Sequence, residues 1–145
     1  MPSRRTILLL GTVGLAAAAL SYPLVYPAYA GPTLDPEAAF QKAEAGELIL
    51  VDIRRPDEWQ STGTGKGAHR IDLRDPDFIE ALTNLAEGDR TRPIALICAR
   101  GVRSARTANL LAENGFSKVI NIPEGMLGSS DGPGWIARGL PLTRN

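Results

Sequence analysis

The sequence predicts an α/β domain of three layers, with a mainly parallel central sheet and helices on both of its faces. Two wholly apolar runs, residues 48–51 and 94–97, have the length and composition of strands covered on both sides. Segments with helix-start residues and apolar positions at helical spacing separate such runs. Strand, helix and strand in one parallel sheet require crossovers, and because crossovers are right-handed they distribute helices over both faces.

Asp35-Pro36-Glu37 opens the first helix, with Asp as N-cap, Pro at the first helical position and Glu in the first turn. That helix runs to about Ala45, where Gly46 ends it. The first strand, 48–51, delivers Asp52 and Arg54 at its C-terminal end, where a structural ion pair or a loop-bracing hydrogen bond is expected rather than catalysis. Pro56-Asp57-Glu58-Trp59 starts a short helix, residues 61–67 (STGTGKG) read as a loop, and residues 68–73 contain a short strand. Asp75-Pro76-Asp77 repeats the cap-plus-proline start and leads into Phe78, Ile79, Leu82 and Leu85 on one helical face, closed by Gly88. The strand at 94–97 ends at Cys98, and a loop follows. Ser104 is expected to cap the next helix, whose Ala105, Ala108, Leu111 and Ala112 form an apolar face before Gly115. Residues 119–122 give another short strand.

Residues 1–30 read as an export signal instead of fold. Arg4 and Arg5 precede an acid-free apolar run over residues 7–20, whose 14 residues fall short of the roughly 20 that span a bilayer. Ala28-Tyr29-Ala30 offers small residues at the two positions a signal peptidase inspects, so the expected mature domain covers residues 31–145. Ser3-Arg4-Arg5-Thr6-Ile7-Leu8 resembles a twin-arginine signal. The protein is therefore expected in the periplasm or otherwise exported, touching a membrane only through an uncleaved signal. Over the whole chain 16 basic residues balance 16 acidic ones, with a pI near 6.6, so no broad basic field favours nucleic acid as a partner. A single cysteine excludes an internal disulfide, and with a single histidine it excludes a zinc site of several Cys and His ligands. No metal or cofactor is expected.

The chemistry concentrates at Cys98. In parallel sheets, sites form at the C-terminal ends of strands. A loop leaving such a strand for a helix turns its backbone N–H groups and the helix dipole toward one point. Cys98 stands there with Arg100 and Arg103, so thiolate is favoured over thiol, and the guanidinium forks suit an oxyanion.

These residues resemble a family. Cys98-Ala99-Arg100-Gly101-Val102-Arg103-Ser104 is similar to the active-site loop of rhodaneses. Asp52-Ile53-Arg54-Arg55-Pro56-Asp57-Glu58-Trp59 resembles the family's Asp-x-Arg-x-Pro-x-Glu-aromatic segment. Gly115-Phe116, Glu124-Gly125-Met126, Trp135 and Gly139-Leu140-Pro141 resemble its closing pattern. The resemblance implies the rhodanese-like fold and a two-step sulfur transfer. In that scheme Cys98 takes a sulfane sulfur from a small anionic donor such as thiosulfate, forms a persulfide, and passes the sulfur to cyanide, a thiol or a protein acceptor. It also implies that the N–H groups of Ala99, Arg100, Gly101, Val102, Arg103 and Ser104 stabilise the outer sulfur, while Arg100 and Arg103 hold the donor's oxygens.

Two stretches depart from the family. Gly63-Thr64-Gly65-Lys66-Gly67-Ala68 stands where many members have Gly-His-Ile-Pro-Gly-Ala, and Leu-Gly-Ser-Ser-Asp-Gly-Pro-Gly separates Met126 from Trp135 where members usually run directly. The longer segment is expected to reshape the rim of the site and hence the acceptor. Two other readings compete: an exported persulfide carrier or binding module without small-molecule turnover, and, more distantly, a cysteine phosphatase. Phosphatase loops enclose five residues between Cys and Arg, whereas Cys98 and Arg103 enclose four. His69 has no assigned role, and Trp59 and Trp135 read as core or rim packing.

Overall fold

The computed structural model describes residues 28–144. The basic start and apolar run of the export-signal reading lie outside these residues. Along the chain come α1 (Pro36–Glu44), β1 (Ile49–Asp52), α2 (Pro56–Thr62), β2 (Thr64–Gly65), β3 (His69–Arg70) and α3 (Phe78–Leu85). They are followed by β4 (Ile94–Ile97), α4 (Val102–Glu113), β5 (Val119–Asn121), α5 (Gly134–Ala137) and β6 (Leu142–Thr143).

The strands β3, β1, β4 and β5 form a sheet in that order, every neighbour parallel. Ile49 faces Ile94 across the central pair, and Ile94 faces Val119 across the next. Every residue of β1 and β4 is buried, as the unbroken apolar runs require of strands covered on both faces. The two-residue period divides their side chains. Ile49, Val51 and Ile53 with Ile94, Leu96 and Cys98 join Phe78 and Leu82 of α3 and Ala108 and Leu111 of α4. Leu48, Leu50, Ala95 and Ile97 join Ala39 of α1, Met126 and Trp135 on the opposite face. This is the expected three-layer arrangement.

Several elements differ from the sequence expectation. Residues 61–67 are not all loop: Thr62 closes α2, and Thr64–Gly65 pairs antiparallel with β6. The reason lies beneath Gly65, where a Cβ would run into the indole of Trp135, so glycine lets strand and ring close together. Trp135 is fully buried, donates its indole N–H to the Pro141 carbonyl at 2.9 Å and meets Phe40 edge to face. The third helix begins at Phe78 and not at Asp75, because the Asp75 carboxylate accepts the Asp77 N–H and closes its own turn first. Ser104 is not a cap: α4 starts at Val102, and Ser104 lies inside its first turn. The short α5 and β6 were not expected from sequence pattern.

Residues 28–34 lie along the outer edge of β5. Asn121 donates to the Pro32 carbonyl, and the Leu34 N–H donates to that of Asn121. The Tyr29 hydroxyl donates to the Val119 carbonyl while its ring packs on the α3/α4 side of the core. A cut after Ala30 removes that packing.

Candidate active site

Strand β4 carries the chain to Cys98, which continues the alternation of Ile94 and Leu96, so its side chain points to the α4 face and is 1% exposed. The chain then turns back at Gly101, with φ at +83°. Few side chains tolerate that conformation, and a Cβ there would collide with the Pro123 carbonyl. The turn directs the Gly101 N–H onto Cys98 Sγ at 3.1 Å and the Ser104 N–H onto it at 3.4 Å. Ser104 Oγ lies 3.3 Å from the same sulfur and 3.2 Å from the Gly101 carbonyl. These donors converge on the sulfur at the start of a three-turn helix. The sulfur-facing donors therefore come from Gly101 and Ser104 among the seven loop residues. Meanwhile the Cys98 and Ala99 carbonyls turn away and accept from Met126 and Leu127, both at 2.9 Å.

The two loop arginines take different positions. Both terminal nitrogens of Arg103 bind the Glu58 carboxylate, at 2.8 and 2.7 Å, and only about a third of its side chain is exposed. Glu58 also accepts the Arg55 N–H at 3.0 Å from the first turn of α2. The Arg103 hydrogen bond is the main reason the Glu58 carboxyl titrates far below the ordinary range, at about 2. Arg103 thus ties the sulfur loop to α2, and its two outer nitrogens are already engaged. Arg100 is exposed and donates to the Gly128 carbonyl at 3.1 Å, meeting the longer segment that precedes Trp135. Ala99 is half-buried and Val102 projects into solvent.

Next to the site, Asp52 and Arg54 form a buried pair. Arg54 binds Asp52 through Nε and Nη2, Thr62 Oγ1 through Nη1, and the Gly63 carbonyl at 2.9 Å; Thr64 Oγ1 donates to Asp52. Every charged atom is served, which a buried pair needs. The pair anchors the start and end of α2 and so places Glu58. Sequence pattern singled out Asp52 and Arg54 as scaffold but gave Glu58 no role. The signal for it was its place in the first turn after Pro56, though only the fold brings Arg103 opposite. His69 is exposed at the sheet edge, away from this arrangement. Among the described residues no group of His, Cys, Asp and Glu is placed to hold a metal ion.

Residues 35–130 match the family model of the rhodanese-like domain. The tRNA uridine(34) hydroxylase of Acinetobacter baylyi is 33% identical over 103 residues, covering 67% of this chain and 31% of that protein. The chain thus spans about a third of the length of that curated relative. The thiosulfate sulfurtransferase GlpE of Actinobacillus pleuropneumoniae is 30% identical over 115 residues, covering 75% of this chain and 90% of that protein. Among solved structures, the polysulfide-sulfur transferase homodimer of Wolinella succinogenes superposes with a TM-score of 0.58 at 25% identity, covering 79% of each chain.

Proposed function

This chain belongs to the rhodanese-like domain family, and from that premise we propose that it is a sulfurtransferase working through a Cys98 persulfide. The observation that carries the reading is the convergence of the Gly101 and Ser104 N–H groups and Ser104 Oγ on Cys98 Sγ. The Cys98 thiolate attacks the outer sulfur of thiosulfate or a similar small anionic donor. Its S–S bond to the sulfite sulfur breaks, and sulfite leaves with the bonding pair. In the persulfide the negative charge resides on the terminal sulfur, one bond beyond the Sγ that the Gly101 and Ser104 donors meet. A nucleophilic acceptor, cyanide or a thiol, then takes that sulfur and returns the electron pair to Cys98. Arg100, exposed at the mouth, meets the donor's oxygens. Arg103, held by Glu58, fixes the loop.

Residues 1–30 fit an export signal, and the reaction is placed outside the cytoplasm on that ground. Fractionation of the native host tests it: recovery of the chain in the cytoplasm refutes it. The chemical reading is tested by intact-mass spectrometry after incubation with thiosulfate, beside Cys98→Ser. Wild type should gain one sulfur and lose it to cyanide as thiocyanate, and Cys98→Ser should gain none. Equal masses before and after thiosulfate would overturn turnover of small anionic donors.

A further inference from the structure

The segment from Met126 to Trp135 is gripped by a buried carboxylate to which the sulfur-transfer reading gives no role. Glu124 is 4% exposed, and it accepts the Gly134 N–H at 2.9 Å and the Nε and Nη2 donors of Arg138 at 2.8 and 2.7 Å. The Arg138 hydrogen bond is the main reason the Glu124 carboxyl titrates below the ordinary range, so these bonds are charge-assisted. Gly132 packs on the same carboxylate, where a Cβ would collide with it. Around that anchor the segment closes into a hairpin. Ser129 and Gly132 exchange N–H to carbonyl bonds at 3.0 and 3.3 Å, and Ser129 Oγ donates to the Pro123 carbonyl at 2.9 Å. Gly128 and Gly134 both have φ at +89°, and a Cβ on Gly134 would strike the Gly128 nitrogen, so the two arms touch backbone to backbone.

The root of this hairpin lies against the sulfur loop, where the Gly128 carbonyl accepts Arg100 Nη1 at 3.1 Å. The Nε and Nη2 donors of Arg100 have no partner among the described residues, and that edge of a guanidinium matches two oxygens of one anion. We propose that Glu124 is a positioning residue for the sulfur donor: by anchoring the hairpin it holds the Gly128 carbonyl, and so Arg100, where the free guanidinium edge meets the oxygens of an anionic donor. The inference rests on the sulfur-transfer reading and adds what sets the donor's affinity. The Gly101 and Ser104 N–H groups that meet Sγ lie at the start of α4 and not in the hairpin. A loosened hairpin therefore weakens donor binding without slowing the step that breaks the donor's S–S bond.

Sulfur loading, followed by rapid-quench mass spectrometry over a range of thiosulfate concentrations, gives the half-saturating concentration and the maximal rate separately. The chains compared are wild type, Glu124→Gln, Arg100→Met and the double variant. Glu124→Gln should raise the half-saturating concentration about tenfold and leave the maximal rate within about twofold. The double variant should match Arg100→Met, because Glu124 then has no guanidinium left to position. A merely structural role would lower the maximal rate or add its effect to that of Arg100→Met. Either result overturns the proposal, as does an unchanged half-saturating concentration in Glu124→Gln. Ser129→Ala removes one hairpin tether outside the buried pair and should move the same quantity about twofold in the same direction. It carries the test if Glu124→Gln does not fold, and an unchanged value then overturns the proposal. Wild type that takes up no sulfur at any thiosulfate concentration is a separate result: it refutes the sulfur-transfer reading and this inference with it.

Discussion

Glu58→Gln isolates the ion pair that joins the sulfur loop to α2. Gln keeps the shape of Glu but removes the charge that both Arg103 nitrogens bind. Depression of the Glu58 carboxyl from 4.5 to about 2 is linked to at most about 3 kcal/mol of folding stability. Glu58 is 18% and Arg103 32% exposed, so solvent screens the pair and about 1–2 kcal/mol is the expected loss at pH 7. For a domain of this size that lowers Tm by about 5–10 °C. The folded-state value lies below the unfolded one, so the contribution is complete above pH 4.5 and fades as pH falls toward about 2. Urea denaturation of the wild type and Glu58→Gln should therefore give curves separated at pH 7 that approach one another as pH falls from 4.5 toward 2. A double-mutant cycle with Arg103→Met should return a coupling of similar size. Identical urea midpoints at pH 7 would refute the claim that this pair fastens the loop.

Three further outcomes follow from the geometry. Asp52→Asn leaves the Arg54 guanidinium buried without its counter-charge and should cost about 3 kcal/mol, read as a shifted denaturation midpoint; a shift under a third of that would contradict the account of the pair. Gly101→Ala must hold a side chain at φ +83° against the Pro123 carbonyl, so it should slow sulfur loading on the order of a hundredfold by misdirecting one sulfur donor, a result checked by rapid-quench mass spectrometry. A chain beginning at Gly31 lacks the Tyr29 ring and hydroxyl, so it should be about 1–2 kcal/mol less stable than one beginning at Ala28, and equal stability would show that residues 28–30 only lie on the surface.

What was legible in the sequence follows from where the physics is local. The runs at 48–51 and 94–97 announce buried strands because both faces of each are covered, so no polar residue interrupts them. Cys98 was legible as the reactive group because a strand end, a left-turning glycine and a helix start lie within a few residues of it. The partners of Arg103 and Arg100 were not, because Glu58 and Gly128 come from distant segments that only the sheet order brings alongside. Ser104 has the composition of a cap, and only the early start of α4 at Val102 turns its hydroxyl toward the sulfur. The Thr64–Gly65 ladder escaped notice for a different reason. Gly65 has low strand preference, and the two-residue pairing with β6 forms where Trp135 fills the space beneath Gly65.

Because Cys98 keeps the inward alternation of β4, the proposed nucleophile is also a core residue, packed in the same cluster as Leu96 and Ala108. Bulky alkylating reagents are therefore expected to reach it only when the loop opens. The rate of modification by a large neutral thiol reagent accordingly measures loop opening in the native state. The chain carries one cysteine, so that signal has a single source, and persulfide loading should change it without any added label.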